Sequence, residues 1–214
     1  MTIKKQLRPS SIADTLRLYD FSPSLEQSEA IAEYISLLLR WNQKISLTRV
    51  TDPVEILRFH FGESLFAVRK VPIREGRLAD VGAGAGFPGL ALKIAVPALD
   101  VVLIDSSTKK AAFLAEVCRS LGLKGVRILK TRAEDIKADD ERFEYITGRA
   151  LGKYSMLLEW ASRHLEPSAN VVLWLGEEEV DRLSRNDNWE WRKPERIPGS
   201  KQRFILVGSP RRPL

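Results

Sequence analysis

Residues 78–89 read Leu-Ala-Asp-Val-Gly-Ala-Gly-Ala-Gly-Phe-Pro-Gly, a glycine-rich turn between an apolar run and a helical pattern. Gly82, Gly84 and Gly86 let the backbone turn tightly and approach a ligand, because no Cβ stands in the way. A dinucleotide-binding turn would need glycine at position 87, where this chain has Phe87. The spacing therefore favours S-adenosylmethionine over NAD, and a tight strand-to-helix turn without a ligand is the alternative.

Two acidic residues accompany this turn. Asp80 directly precedes the glycines, where its carboxylate can face the cationic amino group of the methionine part, directly or through water. The apolar run 101–104 ends in Asp105, which can accept both ribose hydroxyls of a bound nucleoside, and Ser106 beside it is a further candidate cofactor contact. An acid at position 105 fits NAD equally well, so it indicates a nucleoside without identifying it.

Two further segments follow predicted strands. Residues 132–135 read Arg-Ala-Glu-Asp, where main-chain groups of Ala133 and the carboxylate of Glu134 can read an adenine edge. Alternatively, the two acids supply only favourable charge at a helix N-terminus. Arg149 follows another strand, and ligands of open α/β sheets bind beyond the carboxyl ends of the strands. We therefore expect Arg149 to face the reaction site, with Arg132 nearby.

Short apolar runs alternate with helical patterns from residue 77 onward, which predicts βαβ units. We expect strands at 77–81, 100–105, 125–130, 143–147 and 169–175, and helices near 87–95, 108–121, 153–165 and 177–185. The runs 189–193 and 203–207 are expected to form an antiparallel pair that closes the sheet. The predicted fold is α/β, a Rossmann-like class I methyltransferase with a mostly parallel seven-stranded sheet.

The segment before this alternation is predicted to be helical. Ser24 and Gln27 have the spacing of a capping box, and apolar residues follow at helix spacing up to Trp41. A second helix is expected from about Pro53 to Val68. We therefore divide the chain into an N-terminal helical cap, residues 1–72, and a methyltransferase core, residues 73–214.

The composition restricts the chemistry. A single cysteine, Cys118, excludes an internal disulfide framework, and its place on an apolar helix face favours a core position over a nucleophile. With only His60 and His164 as imidazoles, we expect no metal site. The N-terminus is basic without a following apolar segment and no stretch is long and apolar enough to span a bilayer, so we expect a cytoplasmic monomer without membrane contact.

The formal net charge of +6 is compatible with a polyanionic partner. Basic residues are concentrated near the C-terminus: Arg192, Lys193, Arg196, Lys201, Arg203, Arg211 and Arg212. Others are candidates for phosphate contacts, although each alone is more simply explained as a solvated charge: Lys44, Arg49, Arg58, Lys109 and Lys110.

Two motifs of nucleic-acid methyltransferases are absent. There is no Asn/Asp-Pro-Pro-aromatic motif to hold an exocyclic amine, and no Pro-Cys nucleophile to attack a pyrimidine. Guanine N7 needs neither, because its lone pair is exposed and carries no proton that a base must remove. Catalysis there can rest mainly on alignment, with an arginine orienting the base.

Several segments in one order resemble the bacterial 16S rRNA guanine-N7 methyltransferases, also called glucose-inhibited division protein B. They are residues 40–48 (Arg-Trp-Asn-Gln-Lys-Ile-Ser-Leu-Thr), His60 with Glu63-Ser64, residues 80–89, residues 103–106 with Lys109-Lys110, residues 132–134 and residues 148–150. The resemblance spans about residues 35 to 210. It implies cofactor contacts at Gly82, Phe87, Ala133, Glu134 and Arg149, with Asp105 on the ribose, and a 16S rRNA or 30S partner.

The chain departs from that family at two positions. The family usually has serine where this chain has Gly148, and lysine where it has Leu175. These departures leave open a methyltransferase acting on another RNA position or on a small molecule. A non-catalytic RNA-binding assembly factor is a further alternative. For His60, placement of the base competes with a hydrogen bond inside the helical cap.

Overall fold

The computed structural model describes residues 7–137 and 141–211, so residues 1–6 of the basic N-terminus and Arg212 lie outside the described part. The strands are β1 (Gly76–Val81), β2 (Leu99–Ile104), β3 (Val126–Leu129), β4 (Phe143–Arg149), β5 (Leu165–Gly176), β6 (Trp189–Trp191), β7 (Glu195–Arg196) and β8 (Arg203–Pro210). The α-helices are α1 (Pro9–Arg17), α2 (Leu25–Asn42), α3 (Pro53–Ile56), α4 (Glu63–Lys70), α5 (Gly89–Ala95), α6 (Thr108–Ser120), α7 (Tyr154–His164) and α8 (Glu177–Ser184). No helix in the described residues has the length and hydropathy of a membrane span.

One mixed sheet organises the molecule. Its main path is β3-β2-β1-β4-β5-β8-β6; the first five strands are parallel, and β8 is antiparallel to both β5 and β6. The α/β class and the antiparallel closing pair are confirmed. The sheet has eight strands rather than the expected seven, because β7 also pairs with β8. Pro194, which has no N–H donor, directly precedes β7, and a turn at residues 197–200 follows it, so β7 is limited to two residues.

Helices cover both faces of the sheet. On one face, α1, α2 and α4 pack in a single apolar cluster with α5 and α6. On the other face, α7 and α8 pack against β4 and β5 in a second cluster. Residues before 73 thus share a core with the sheet, and the boundary at residue 72 stays a prediction. Cys118 packs against the first cluster, where burial raises the pKa of its thiol to about 11.

The helical segment expected from about Pro53 to Val68 is present and runs from Pro53 to Lys70, but it is not a single regular α-helix. A π-helical turn, Leu57–Gly62, joins α3 to α4, which continues to Lys70. Gly62 lies against the ring of Tyr19, because a Cβ at position 62 would come within 2.4 Å of Tyr19 Cε2. This contact between distant segments has no signature in helical periodicity. Single π-helical turns occur frequently at functional sites.

Candidate active site

The glycine turn is held in a conformation that side chains would obstruct. Gly82 has a φ of +69°, and a Cβ there would lie 2.5 Å from Leu151 Cδ2. Gly86 has a φ of +85°, and a Cβ there would lie 2.2 Å from the hydroxyl of Tyr34. Positive φ values of this size favour glycine strongly. The turn therefore needs glycine for its own backbone and for the side chains that pack on it.

Asp80 lies beneath this turn and is buried. Its Oδ2 accepts the backbone N–H of Gly89 at 2.8 Å, and its Oδ1 accepts the hydroxyl of Thr147 at 2.9 Å. Burial raises the pKa of Asp80 to about 7, against the lowering effect of these two hydrogen bonds. Both carboxylate oxygens thus hold the turn to β4 and α5, and Asp80 is not in the wall of the cavity described next.

A cavity of about 470 Å³ opens at the carboxyl ends of β1, β2 and β4; we call it the first cavity. Its wall contains seven of the residues that the sequence singled out: Gly82, Asp105, Ser106, Lys110, Arg132, Ala133 and Glu134. It also contains residues that the sequence analysis missed: Val81, Ile104, Thr131, Leu151, Gly152, Lys153, Met156, Leu157 and Trp160. Many of these belong to the loop after β4 and the start of α7, which the parallel βαβ order places at the same edge of the sheet.

Asp105 connects the two sides of the first cavity. Its Oδ2 accepts the N–H of Gly84 at 2.9 Å, and its Oδ1 accepts the N–H of Ser107 at 2.9 Å. Lys110, expected as a phosphate contact, lies in the cavity wall with its Nζ 3.6 Å from Asp105 Oδ2. Backbone donors, among them the N–H of Gly84, therefore orient the Asp105 carboxylate before any ligand binds.

Phe87 and His60 lie together on the cap side of the turn. The Phe87 ring stacks on Tyr34 at a centroid distance of 5.3 Å and contacts the His60 ring at 5.0 Å. His60 Nε2 is 2.8 Å from Thr48 Oγ1, the hydrogen bond inside the cap that was the alternative for this residue. Burial lowers the pKa of His60 to about 4, so the imidazole is neutral at pH 7. Neither side chain is in the wall of the first cavity.

Arg149 reaches across to the cap. Its Nη2 donates to the carbonyl oxygen of Phe59 at 2.7 Å and pairs with Glu63 Oε2 at 3.0 Å, whereas its Nη1 is buried without a hydrogen-bond partner among the described residues. Burial lowers the pKa of Arg149, and the carboxylate of Glu63 opposes that shift. Glu63 is 97% buried at its side chain and also pairs with Arg203 at 2.7 Å.

These three charged residues border a second cavity of about 380 Å³. The rest of its wall consists of Ala150, Leu151, Tyr154, Trp174, Leu175, Gly176, Glu179 and Ile197. Leu151 belongs to both cavities, so they are adjacent at that side chain. Arg132 and Arg149, expected near each other, thus lie in the walls of different cavities.

The two departures from the resembled family differ in position. Leu175 lies in the wall of the second cavity, whereas Gly148 is in neither wall and lies against two leucines that line the first cavity. A Cβ at Gly148 would lie 2.8 Å from Leu151 Cδ1 and 2.7 Å from Leu157 Cδ2, so these leucines occupy the space that a serine side chain would need. The departures therefore concern the region beside the first cavity rather than the glycine turn.

The sheet order, with a glycine turn after β1 and a carboxylate at the end of β2, defines a class I methyltransferase fold. Solved structures agree. A SAM dependent methyltransferase from Aquifex aeolicus superposes with a TM-score of 0.60 at 20% identity, over 72% of this chain and 92% of that chain. The ribosomal protein L11 methylase from Lactobacillus delbrueckii subsp. bulgaricus gives 0.60 at 17% identity, over 72% and 79%.

Sequence comparison narrows this class to one family. The chain belongs to the GidB family, rRNA small subunit methyltransferase G, which it matches over residues 27–202. The ribosomal RNA small subunit methyltransferase G of Myxococcus xanthus is 42% identical over 164 residues, covering 76% of this chain and 72% of the relative. That of Lactobacillus delbrueckii subsp. bulgaricus (strain ATCC BAA-365 / Lb-18) is 38% identical over 160 residues, covering 72% and 67%. The resemblance noted in the sequence is confirmed.

Proposed function

We propose that this protein transfers a methyl group from S-adenosylmethionine to N7 of a guanine in 16S rRNA of the small ribosomal subunit. The observation that carries the proposal is the first cavity, where the glycine turn and Asp105 meet. This cavity occurs in a chain whose relatives are named for methylation of small-subunit rRNA. An rRNA substrate also implies the cytoplasm as the place of action.

The donor set of the first cavity fits S-adenosylmethionine. Asp105 offers oriented carboxylate oxygens to a ribose, and Gly82 leaves its backbone open to the cavity. Met156 and Leu157 give an apolar wall for an adenine ring, and the Nε1 of Trp160 in that wall is buried without a partner among the described residues. When bound, S-adenosylmethionine supplies an electrophilic methyl group on a sulfonium.

Different residues of the chain bind different parts of S-adenosylmethionine. Asp105 and Ser106 hold the ribose, and Ala133 with Glu134 reads the adenine edge. Gly82 and Gly84 give access for the methionine part. Asp80 and Phe87 support the turn from below and from the cap, because their side chains are engaged there. A direct contact of Asp80 with the methionine amino group would require one of its present hydrogen bonds to break.

The reacting base is placed by arginines. Arg132 lies in the wall of the first cavity, and Arg149 lies in the wall of the second, next to Leu151. No general base is needed, because guanine N7 attacks through a free lone pair. The residues therefore act by aligning N7 with the methyl group. His60 contributes from the cap side of the glycine turn. Arg149 does not lie in the wall of the first cavity, which would hold the cofactor.

The helical cap and the basic surface are proposed to bind the RNA backbone. Lys44, Arg49, Arg58 and Lys109 are exposed, as phosphate contacts must be. Such contacts position the enzyme without reading sequence, so selection of the base has to occur in a cavity. We treat the protein as a monomer that acts on the 30S particle.

One experiment tests this function. The purified protein is incubated with labelled S-adenosylmethionine and 30S subunits from a strain that lacks the gene, and rRNA nucleosides are then analysed by mass spectrometry. We expect one additional 7-methylguanosine per 16S rRNA. Transfer to members of a small-molecule panel with none to rRNA would contradict the proposal. Calorimetry that shows no saturable S-adenosylmethionine binding would instead indicate a non-catalytic factor.

A further inference from the structure

The second cavity lies beside the first and is not accounted for by cofactor binding. Its volume of about 380 Å³ falls within the range of small-molecule sites, about 300 to 1,000 Å³. Leu151 lies in the walls of both cavities. A group held in the second cavity would therefore be adjacent to a cofactor held in the first.

Two aromatic side chains with fixed positions line this cavity. Tyr154 donates its hydroxyl to the carbonyl oxygen of Trp174 at 3.2 Å, and Trp174 donates its Nε1–H to the carbonyl oxygen of Glu63 at 2.7 Å. Leu175 and Ile197 add apolar surface. Unstacked RNA bases are commonly held on aromatic side chains and guanidinium planes. The wall therefore suits a planar base better than a sugar or a phosphate.

The two carboxylates in the wall of the second cavity differ in their ion pairing. The carboxylate of Glu63 is taken by Arg149 and Arg203, one on each oxygen. The carboxylate of Glu179 has no hydrogen-bond or ion-pair partner in residues 7–137 and 141–211. It lies above the end of β5, because a Cβ at Gly176 would be 3.4 Å from Glu179 Oε2. The cavity thus offers one free pair of acceptors; Arg149 lies in the same wall, and its buried Nη1 has no partner among the described residues.

The position of Glu179 in α8 does not by itself explain that free carboxylate. Glu177, Glu178 and Glu179 form the first turn of α8, where negative charge is favourable. Glu177 and Glu178 are exposed and are absent from the wall of the cavity, whereas Glu179 is in it. Charge at the helix end is therefore already supplied by two residues that do not line the cavity.

We propose that the second cavity receives the target base and that Glu179 selects guanine by accepting its N1–H and 2-amino N–H. This inference rests on the proposed function and adds the residue that reads the base. Guanine carries two adjacent donors on this edge, which match the two oxygens of a carboxylate, whereas adenine has no N1–H and no 2-amino group. The edge of guanine that carries O6 and N7 is not contacted by Glu179, so N7 stays accessible for methylation.

The test compares Glu179→Gln with Glu178→Gln, a neighbouring exposed carboxylate on the same helix, in the 30S methylation assay. We expect kcat/KM of Glu179→Gln for 30S subunits to fall about 10- to 100-fold, as for loss of a bidentate base contact. The Kd for S-adenosylmethionine and the Tm should match the wild type. Glu178→Gln should keep wild-type values throughout. Glu179→Asp, which retains the carboxylate, should recover part of the lost rate.

A role of Glu179 that is only electrostatic predicts the opposite sign. Removing a negative charge near an RNA-facing surface would strengthen RNA binding and lower KM. A kcat/KM within twofold of the wild type, or a fall that parallels a loss of S-adenosylmethionine affinity or of Tm, would overturn the inference. If the wild type itself transfers no methyl group to rRNA, the proposed function fails, a result that is distinct because it precedes any variant.

Discussion

The two cavities meet at Leu151, yet they are built from different kinds of groups. The first contains a carboxylate that is oriented by backbone donors, since the N–H groups of Gly84 and Ser107 both donate to Asp105 at the end of β2. The second is shaped by charged side chains that reach between distant elements, with Glu63 on the cap joined to Arg149 and to Arg203.

This difference bears on what each cavity can do. A backbone site keeps its geometry when neighbouring side chains change, which suits a cofactor that never varies. A site held by ion pairs between the cap, β4 and β8 depends on every member, because removal of one leaves a buried charge without its partner. Substitutions in these ion pairs should therefore affect folding more strongly, and substitutions in the first cavity should affect ligand affinity.

The largest expected effect is on folding, from Glu63→Ala. The side chain of Glu63 is 3% exposed and that of Arg149 is 17% exposed, so the substitution leaves a mostly buried guanidinium uncompensated. We expect the free energy of unfolding to fall by about 3 to 5 kcal/mol, measured by urea denaturation. Arg203 is 41% exposed and can turn toward solvent, which favours the lower end.

Glu195→Ala is the matched control for that variant. Glu195 pairs with Lys70 at 3.2 Å, but its side chain is 46% exposed. Exposed ion pairs contribute about 0 to 1 kcal/mol, so unfolding should change little. Equal losses in both variants would mean that the Glu63 ion pairs are no more important than surface charge.

The next effect is on affinity, from Asp105→Asn. The substitution removes the charge of an acceptor whose two oxygens are oriented by the N–H groups of Gly84 and Ser107. Hydrogen bonds to charged groups contribute about 1.5 to 3 kcal/mol, so the Kd for S-adenosylmethionine should rise about 10- to 100-fold in calorimetry. Asp100→Asn, on the same strand but exposed, should bind as the wild type does. Normal affinity in Asp105→Asn would place the ribose elsewhere.

A comparison of two glycine-to-alanine variants, with a smaller expected effect, distinguishes backbone strain from blocked access of the ligand. Gly82→Ala and Gly122→Ala both place alanine at positive φ, +69° and +61°, so each should lose about 1 to 2 kcal/mol of stability. A Cβ at Gly82 meets Leu151 Cδ2 at 2.5 Å, whereas a Cβ at Gly122 meets nothing within 4 Å. We expect S-adenosylmethionine affinity to fall about tenfold, or 1.4 kcal/mol, only in Gly82→Ala. Equal affinities would show that Leu151 moves aside freely.

The same contrast explains how much the sequence could predict. The parallel sheet follows from apolar runs that alternate with helical patterns, and the first cavity follows from motifs at the ends of those runs, such as Gly82 and Asp105. These motifs are local, and the topology alone brings them together. The π-helical turn and the two-residue β7 escaped prediction because neither has a periodicity of its own.

The second cavity could not be predicted in the same way. Glu63, Arg149 and Arg203 come from three separate parts of the chain, and no spacing links them. Glu63 drew notice only within the family resemblance, and Arg203 only as one of many basic residues near the C-terminus. Arg149 was expected from its strand, but its burial against the cap depends on tertiary packing.

The smallest predicted effect concerns His60 on the cap side of the glycine turn, where its ring packs on Phe87 and its neighbour Phe59 accepts a hydrogen bond from Arg149. Burial, and then the charge of Arg149, lower the pKa of His60 from 6.5 to about 4. The unfolded chain therefore binds a proton below pH 6.5 that the folded protein binds only below about 4, so stability declines as pH falls through that window. Between pH 6.5 and 5.5 the wild type should lose about 1 kcal/mol more than His60→Gln in urea denaturation. Parallel curves for the two proteins would mean that the imidazole is solvated, and that the cap does not close over the glycine turn as described.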